Sequence, residues 1–172
     1  FPTYFDVNNA DWEIFEEVNK RFAEAACKEA SQDASIWIHD YNLWLAPYYI
    51  RNKRPDTKIA FFHHTPFPGN DVFAILPWRR QIIESLLCCD MVGFHIPRYT
   101  ENFARAANCL VGAKRGNKIQ VDGKFIAVGS ALTEPYVIDA RTLAVGDPGY
   151  VPVVFSLAQN YPNPFNPVTK IG

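Results

Sequence analysis

An α/β fold built on a small parallel sheet is predicted by three observations. Three short apolar runs, Ile36-Trp37-Ile38, Ile59-Ala60-Phe61-Phe62 and Met91-Val92-Gly93-Phe94, each stop on titratable residues: His39-Asp40, His63-His64 and His95. The runs are β-branched or aromatic, of strand length, and separated by helical patterns. Their hydrophobicity is continuous rather than alternating, as in strands buried on both faces of a parallel sheet. All four histidines therefore fall at the ends of apolar runs. In an open parallel sheet, ligands bind in the crevice beyond the carboxyl ends of the strands.

The elements follow in order. Phe1 to Val7 reads as extended. Asn8 or Asn9 can cap a helix carrying Asp11 and Glu13 in its first turn, where the helix dipole favours them. Trp12, Phe15, Val18, Phe22 and Ala25 or Ala26 fall on one face at helical spacing, which predicts that this stripe packs on the sheet. Ser31 to Ser35 turns the chain into the first strand. Tyr41 to Lys53 reads as helix, with a kink or a short first turn at Pro47. Pro55-Asp56 closes that unit before the second strand. Thr65-Pro66-Phe67-Pro68-Gly69-Asn70 is a loop of restricted shape, followed by a short helical turn within Asp71 to Leu76. Pro77 is placed to start a helix whose shared face is Trp78, Ile82, Leu86 and either Ile83 or Leu87, with Arg79 and Arg80 toward solvent. Pro97 precedes a last helix bearing Tyr99, Phe103, Ala106 and Ala107. From Gly112 the composition changes, and Lys118 to Val121 and Lys124 to Val128 flank Asp122-Gly123 as a β-hairpin. Ala131 to Tyr150 shows weak strand patterns broken by Gly146, Pro148 and Gly149. Asn160 to Pro167, with proline at every second or third position, is neither helix nor central strand.

The 172-residue length fits one domain. A net charge of −1 leaves neither a basic field for nucleic acid nor a polybasic patch for a membrane. No apolar run approaches the roughly 20 residues that span a bilayer. The chain opens at Phe1 without a signal-like stretch, which reads as a piece of a longer protein and as cytoplasmic. Cys27, Cys88, Cys89 and Cys109 lack zinc-site spacing and are expected to be small buried apolar residues without disulfides.

Asp40 and His64 are the sharpest candidates for chemistry. An aspartate directly after a buried strand can accept hydrogen bonds from a sugar hydroxyl. A neighbouring histidine can donate to one, or stabilise a phosphate or a leaving oxygen. From the residues alone, a plainer reading stays open: Asp40 caps the next helix and His64 is a satisfied turn histidine. His39, His63 and His95 fit structural roles such as hydrogen bonds to backbone carbonyls. No ligand spacing supports a metal site built from the histidines and Asp40. There is no GxGxxG, no Walker loop and no nucleophile elbow, so no cofactor is expected.

Several ordered motifs carry a family resemblance. Ile36-Trp37-Ile38-His39-Asp40-Tyr41-Asn42-Leu43, Phe61-Phe62-His63-His64-Thr65-Pro66-Phe67-Pro68, Leu76-Pro77 and Asp90-Met91-Val92-Gly93-Phe94-His95 resemble trehalose-6-phosphate synthases and their relatives. Tyr41-Asn42-Leu43-Trp44, Leu76-Pro77-Trp78-Arg79-Arg80 and Ser85-Leu86-Leu87-Cys88-Cys89-Asp90 resemble the glucosylglycerol-phosphate synthase branch most, as does the opening Phe1-Pro2-Thr3-Tyr4-Phe5-Asp6. The resemblance covers Phe1 to about Val128 and continues, degraded, to Tyr150. It implies a partial Rossmann-like domain of a GT-B glycosyltransferase, metal-independent and retaining. Such an enzyme moves glucose from a nucleotide sugar, ADP- or UDP-glucose, to glycerol 3-phosphate, or to glucose 6-phosphate in the trehalose branch. Asp40, with Tyr41 beside it, then matches the acceptor site, and His64 matches the histidine contacting the donor glucose; both are the implied catalytic positions. Residues 1–150 would be the acceptor-side domain.

Residues 151–172 have another likeness. Phe155 to Ile171, with Asn160-Tyr161-Pro162-Asn163-Pro164-Phe165-Asn166-Pro167 at its centre, resembles the start of a type IX secretion sorting domain. This gives a competing expectation, a non-catalytic export or interaction module defined by the tail. The second GT-B domain and the family's preceding acceptor-site segments are absent from this sequence. Inactivity of the isolated chain, exposed apolar faces and self-association are therefore expected.

Overall fold

The computed structural model describes residues 9–115, 118–121 and 124–130. The tail, the weak strand patterns after Ala131 and the Asp122-Gly123 turn lie outside them. The elements are α1 (Asn9–Glu29), β1 (Ser35–His39), a 3-10 turn (Tyr41–Leu43), α2 (Ala46–Lys53), β2 (Lys58–His63), α3 (Asn70–Phe73), α4 (Arg79–Leu86), β3 (Met91–Phe94), α5 (Pro97–Val111), β4 (Lys114–Arg115), β5 (Ile119–Val121) and β6 (Lys124–Ser130). They form a six-stranded sheet in the order β1-β2-β3-β6-β5-β4. The first four strands are parallel, and β5 and β4 close the far edge antiparallel. The three apolar runs are the three predicted strands. The hairpin also forms, and its second strand adds to β3 as a fourth parallel strand, with Met91 opposite Ala127 and Val92 opposite Val128.

Each crossover, β1-α2-β2, β2-α4-β3 and β3-α5-β6, advances one place in the same direction. Crossovers of this kind are right-handed, so the three helices stack on one face of the sheet. α1 joins that layer against α2. Side chains alternate along a strand. Ile38, Ile59, Phe61, Val92, Phe94 and Ile126 face the helices and enter the main core. Trp37, Ala60, Phe62, Met91 and Gly93 take the other face, outside that core. Phe67 ties the 65–70 loop down: it is fully buried against Phe94 and Phe103, with ring centroids 5.7 and 5.6 Å away. Asn102 Nδ2 donates to its carbonyl at 2.9 Å.

The α1 stripe is corrected. Trp12, Phe15 and Ala26 do pack inward, but Val18 and Phe22 are exposed, and the fully buried positions are Asn19 and Ala23. The reason is a polar one. Asn19 Oδ1 accepts from the backbone N–H of Leu45 and of Ala46, each at 3.0 Å, and Nδ2 donates to the carbonyls of Phe15 and Asn42. Those two N–H groups open α2 and have no partner within the helix. One amide therefore caps a helix 26 residues away and rotates the apolar stripe outward.

Smaller corrections have local causes. The break in Tyr41–Lys53 precedes Pro47, which sits in the first turn of α2, where it costs no hydrogen bond. Ile83 on α4 and Leu87 just past its end are both buried. Arg80 reaches solvent and pairs with Glu84, whereas Arg79 is half-buried and donates to the Leu76 carbonyl at 2.9 Å. Of the four cysteines only Cys89 is buried; Cys27 and Cys88 are intermediate and Cys109 is exposed, near the end of α5. At the amino end of the sheet, Arg51 donates to the carbonyls of Pro55, Thr57 and Cys88 and pairs with Asp90 at 2.8 Å. Asp90 in turn accepts from Ile59 N–H, locking β2 to the start of β3. No helix among the described residues is long and apolar enough to cross a membrane.

Candidate active site

The candidate residues gather where β1, β2 and β3 end. β1 finishes on His39 and β2 on His63; Asp40, His64 and His95 each follow a strand directly. Alternation sorts the histidines. His63 points with Phe61 into the helix layer and is 1% exposed. His39, His64 and His95 belong to the opposite face, beside Trp37 and Phe62, and are exposed.

On that face the rings touch in a row. Trp37 and His39 lie 5.0 Å apart, His39 and His64 5.2 Å, and His64 and His95 5.6 Å, all centroid to centroid. Phe62 backs His64 at 4.8 Å and His95 at 5.1 Å. His39 Nδ1 and His64 Nε2 are hydrogen-bonded at 2.9 Å. Burial, and then the neighbouring His64, push the proton affinity of both His39 and His95 below the usual imidazole range, against a weaker pull from Asp40. No group of three His, Cys, Asp or Glu among the described residues is arranged to hold a metal.

Asp40 has the only positive φ among non-glycine described residues, with φ 61° and ψ 170°. That region is essentially reserved for glycine and costs on the order of 1–3 kcal/mol. The surroundings impose it. Asp40 N–H still completes the sheet by donating to the Phe62 carbonyl at 2.9 Å, while its own carbonyl accepts from Leu43 N–H in the 3-10 turn. The chain must leave the sheet and enter that turn within one residue. The side chain makes no capping hydrogen bond to the turn it precedes. It reaches instead to the next strand's loop, where Oδ1 accepts from Thr65 N–H at 3.3 Å and from the Thr65 hydroxyl at 3.1 Å. Burial is the largest single influence on Asp40 and acts upward. The neighbouring Tyr41 N–H, the hydrogen bonds from Thr65 and the nearby His63 outweigh it and hold the carboxyl below its ordinary range.

His63 supports this arrangement from beneath. Its Nδ1–H donates to the Thr65 carbonyl at 2.7 Å and lies 3.3 Å from the Thr65 hydroxyl. Its ring packs among Trp44, Phe67 and Phe94. Burial lowers its proton affinity, so it stays neutral and fixes the loop that fixes Asp40. Tyr41 is 44% exposed and leans edge-on against Trp44. A cavity of about 210 Å³ lies between α2 and α4, lined by Leu45, Tyr48, Tyr49, Gln81, Glu84 and Ser85; no rim residue borders it.

The structure thus places Asp40, Tyr41 and His64 at the carboxyl ends of β1 and β2, with Asp40 tied to Thr65. A carboxylate and an imidazole at neighbouring strand ends can hold hydroxyl groups and position a phosphate. Sequence reasoning left out Thr65 and ranked His39 low. The signal for His39 was present: a period of two places residues 39, 64 and 95 on one face and residue 63 on the other.

The model of glycosyltransferase family 20 matches residues 2–143. A glucosylglycerol-phosphate synthase of Synechocystis sp. is 55% identical over 135 residues, covering 78% of this chain and 27% of that protein. One from Picosynechococcus sp. is 56% identical over 122 residues, covering 71% and 24%. A trehalose-6-phosphate synthase of Mycolicibacterium gilvum is 46% identical over 125 residues, covering 68% and 25%. The fold is similar to the N-terminal domain of a Candida albicans trehalose-6-phosphate phosphatase, with TM-score 0.70 and 26% identity over 74% of this chain and 28% of that one. It is also similar to a UDP-forming trehalose-phosphate synthase of Burkholderia xenovorans in complex with glucose-6-phosphate, with TM-score 0.67 and 25% identity over 73% and 29%. The chain spans about a quarter of the length of these relatives.

Proposed function

The chain belongs to glycosyltransferase family 20, and from that membership we propose that it forms part of the acceptor-side wall of a retaining glucosyltransferase. The donor is a nucleotide glucose and the acceptor glycerol 3-phosphate, in the cytoplasmic synthesis of an osmoprotectant. Glycerol 3-phosphate is preferred to glucose 6-phosphate because identity to glucosylglycerol-phosphate synthases, 55–56%, exceeds the 46% to a trehalose-6-phosphate synthase. Residues 1–150 carry this role and residues 151–172 stand apart from it.

The observation that supports the reading is the held carboxylate of Asp40. It keeps its charge, one oxygen is tied to Thr65, and its backbone is forced into an unfavourable region to aim it. In this reading Asp40 accepts hydroxyl hydrogens of the acceptor, Tyr41 flanks it, and His64 contacts the donor glucose. Transfer needs both substrates aligned in one preorganised cleft. These 172 residues supply one wall, so they are expected to bind weakly and not to turn over.

Calorimetric titration of the chain with glycerol 3-phosphate and with glucose 6-phosphate tests this. Glycerol 3-phosphate should bind more tightly. Asp40→Ala should weaken it by about 10-fold or more, the worth of one hydrogen bond to a charged group. Equal affinity of wild type and Asp40→Ala would remove Asp40 from the acceptor site.

A further inference from the structure

We propose that Asn19 is a positioning residue for the acceptor site: from α1 it clamps the turn that follows Asp40, and so holds Asp40 in the backbone conformation that aims its carboxylate. The site clause rests on the reading of Asp40 as the acceptor's contact; the clamp on Asp40 does not.

The hydrogen bonds of the Asn19 amide carry this. Oδ1 accepts from Leu45 N–H and Ala46 N–H, each at 3.0 Å. Nδ2 donates to the Asn42 carbonyl at 3.0 Å and to the Phe15 carbonyl at 2.9 Å. Each role is fixed by the partner. A peptide N–H only donates and a peptide carbonyl only accepts, so the amide oxygen faces Leu45 and Ala46 and the nitrogen faces Asn42 and Phe15. Both lone pairs and both N–H groups of the amide are used, and the residue is fully buried.

These partners surround the site's own turn. The Asn42 carbonyl lies within the 3-10 turn Tyr41–Leu43, and the Leu45 and Ala46 N–H groups open α2 behind it. One amide thus ties the turn to the helix it leads into. On the other side, Asp40 N–H is held by the sheet through the Phe62 carbonyl at 2.9 Å. Asp40 is the joint between these two anchors, and φ 61° with ψ 170° is the conformation that connects them. Such a backbone persists only where its surroundings over-determine it. From it the carboxylate reaches the Thr65 N–H and hydroxyl. Relaxation of Asp40 toward an ordinary conformation would carry Oδ1 away from both.

Capping α2 and positioning Asp40 are separable. The cap uses the amide oxygen, and the hold on Asn42 uses the nitrogen. Asn19→Asp keeps the first, because aspartate accepts from the N–H groups of a helix start as well as asparagine does, and its charge suits the helix dipole. It loses the second, and turns a carboxylate oxygen toward the Asn42 carbonyl.

The test is NMR of the full chain as wild type and as Asn19→Asp, followed by calorimetric titration of each with glycerol 3-phosphate. Asn19→Asp should stay folded, and Asp90, at the opposite end of the sheet, should keep its resonances. The backbone and carboxyl resonances of Asp40 should move together with the Thr65 amide. Affinity for glycerol 3-phosphate should fall about 10-fold, the worth of one hydrogen bond to a charged group. Unmoved Asp40 resonances in a folded Asn19→Asp overturn the proposal, whatever the affinity does. Moved resonances with no binding by either protein support the clamp and count against the acceptor reading. If Asn19→Asp does not fold, hydrogen exchange of the wild type decides: slow exchange of the Asn19 side-chain amide protons supports the clamp, and exchange as fast as in an unfolded chain overturns it.

Discussion

The strained backbone at Asp40 gives an inverted stability order that can be measured. Asp40→Gly and Asp40→Ala both remove the carboxylate and both lose the hydrogen bonds from Thr65. They differ only in backbone freedom. At an ordinary position glycine is the worse of the two, because the unfolded chain gains entropy worth about 0.5–1 kcal/mol. At φ 61° and ψ 170° alanine keeps the Cβ penalty, on the order of 1–3 kcal/mol, and glycine does not. The difference leaves Asp40→Gly more stable than Asp40→Ala by about 1 kcal/mol. Urea unfolding of the two variants side by side reads this as a higher midpoint for Gly at equal slope. Asp40→Gly less stable than Asp40→Ala would refute the strain. It would also remove the argument that the chain bears an energetic cost to aim this carboxylate.

Three further outcomes are expected. Asn19→Leu restores the apolar pattern of α1 but strands the Leu45 and Ala46 N–H groups and the Asn42 carbonyl, all now bonded to Asn19. Loss of roughly 3 kcal/mol is expected at 1–3 kcal/mol per buried unpaired group, and a neutral or stabilising effect in urea unfolding would contradict the capping role. His39, His63 and His95 all have lowered proton affinity in the fold. The unfolded chain therefore binds more protons below about pH 6.5, and stability should fall as pH drops from 7.5 toward 5. The lowered carboxyl of Asp40 adds a loss of the same sign below about pH 4; a flat midpoint between pH 7.5 and 5 would contradict the histidine assignments. Finally, Ile14, Val18, Phe22 and Trp37 leave apolar side chains exposed on α1 and β1, so self-association is expected in sedimentation velocity. A monomer at every concentration would show that these faces are harmless.

The parallel sheet was legible because its strands are continuous apolar runs, and the start of α5 because Pro97 marks it. The α1 face was not. One of its two buried positions, Asn19, is bonded to Asn42, Leu45 and Ala46, and hydropathy cannot register a polar residue chosen for distant N–H groups. β6 was read as half of a hairpin, since Asp122-Gly123 signals the turn locally. Nothing local signals that the other edge of β6 pairs with β3. The site was legible as residues at strand ends, yet its working detail depends on backbone geometry. An aspartate at positive φ looks like any other aspartate in a sequence, and the Thr65 tether depends on a loop held by His63 and Phe67.

The central claim is that one rim, ending β1 and β2, handles the sugar acceptor. A crystal of the chain grown with glycerol 3-phosphate tests it most directly. The account predicts the acceptor at that rim, a hydroxyl within hydrogen-bond distance of the Asp40 carboxylate and Thr65 still holding Oδ1. Glycerol 3-phosphate bound instead in the cavity between α2 and α4, with the Asp40 rim unoccupied, would contradict it.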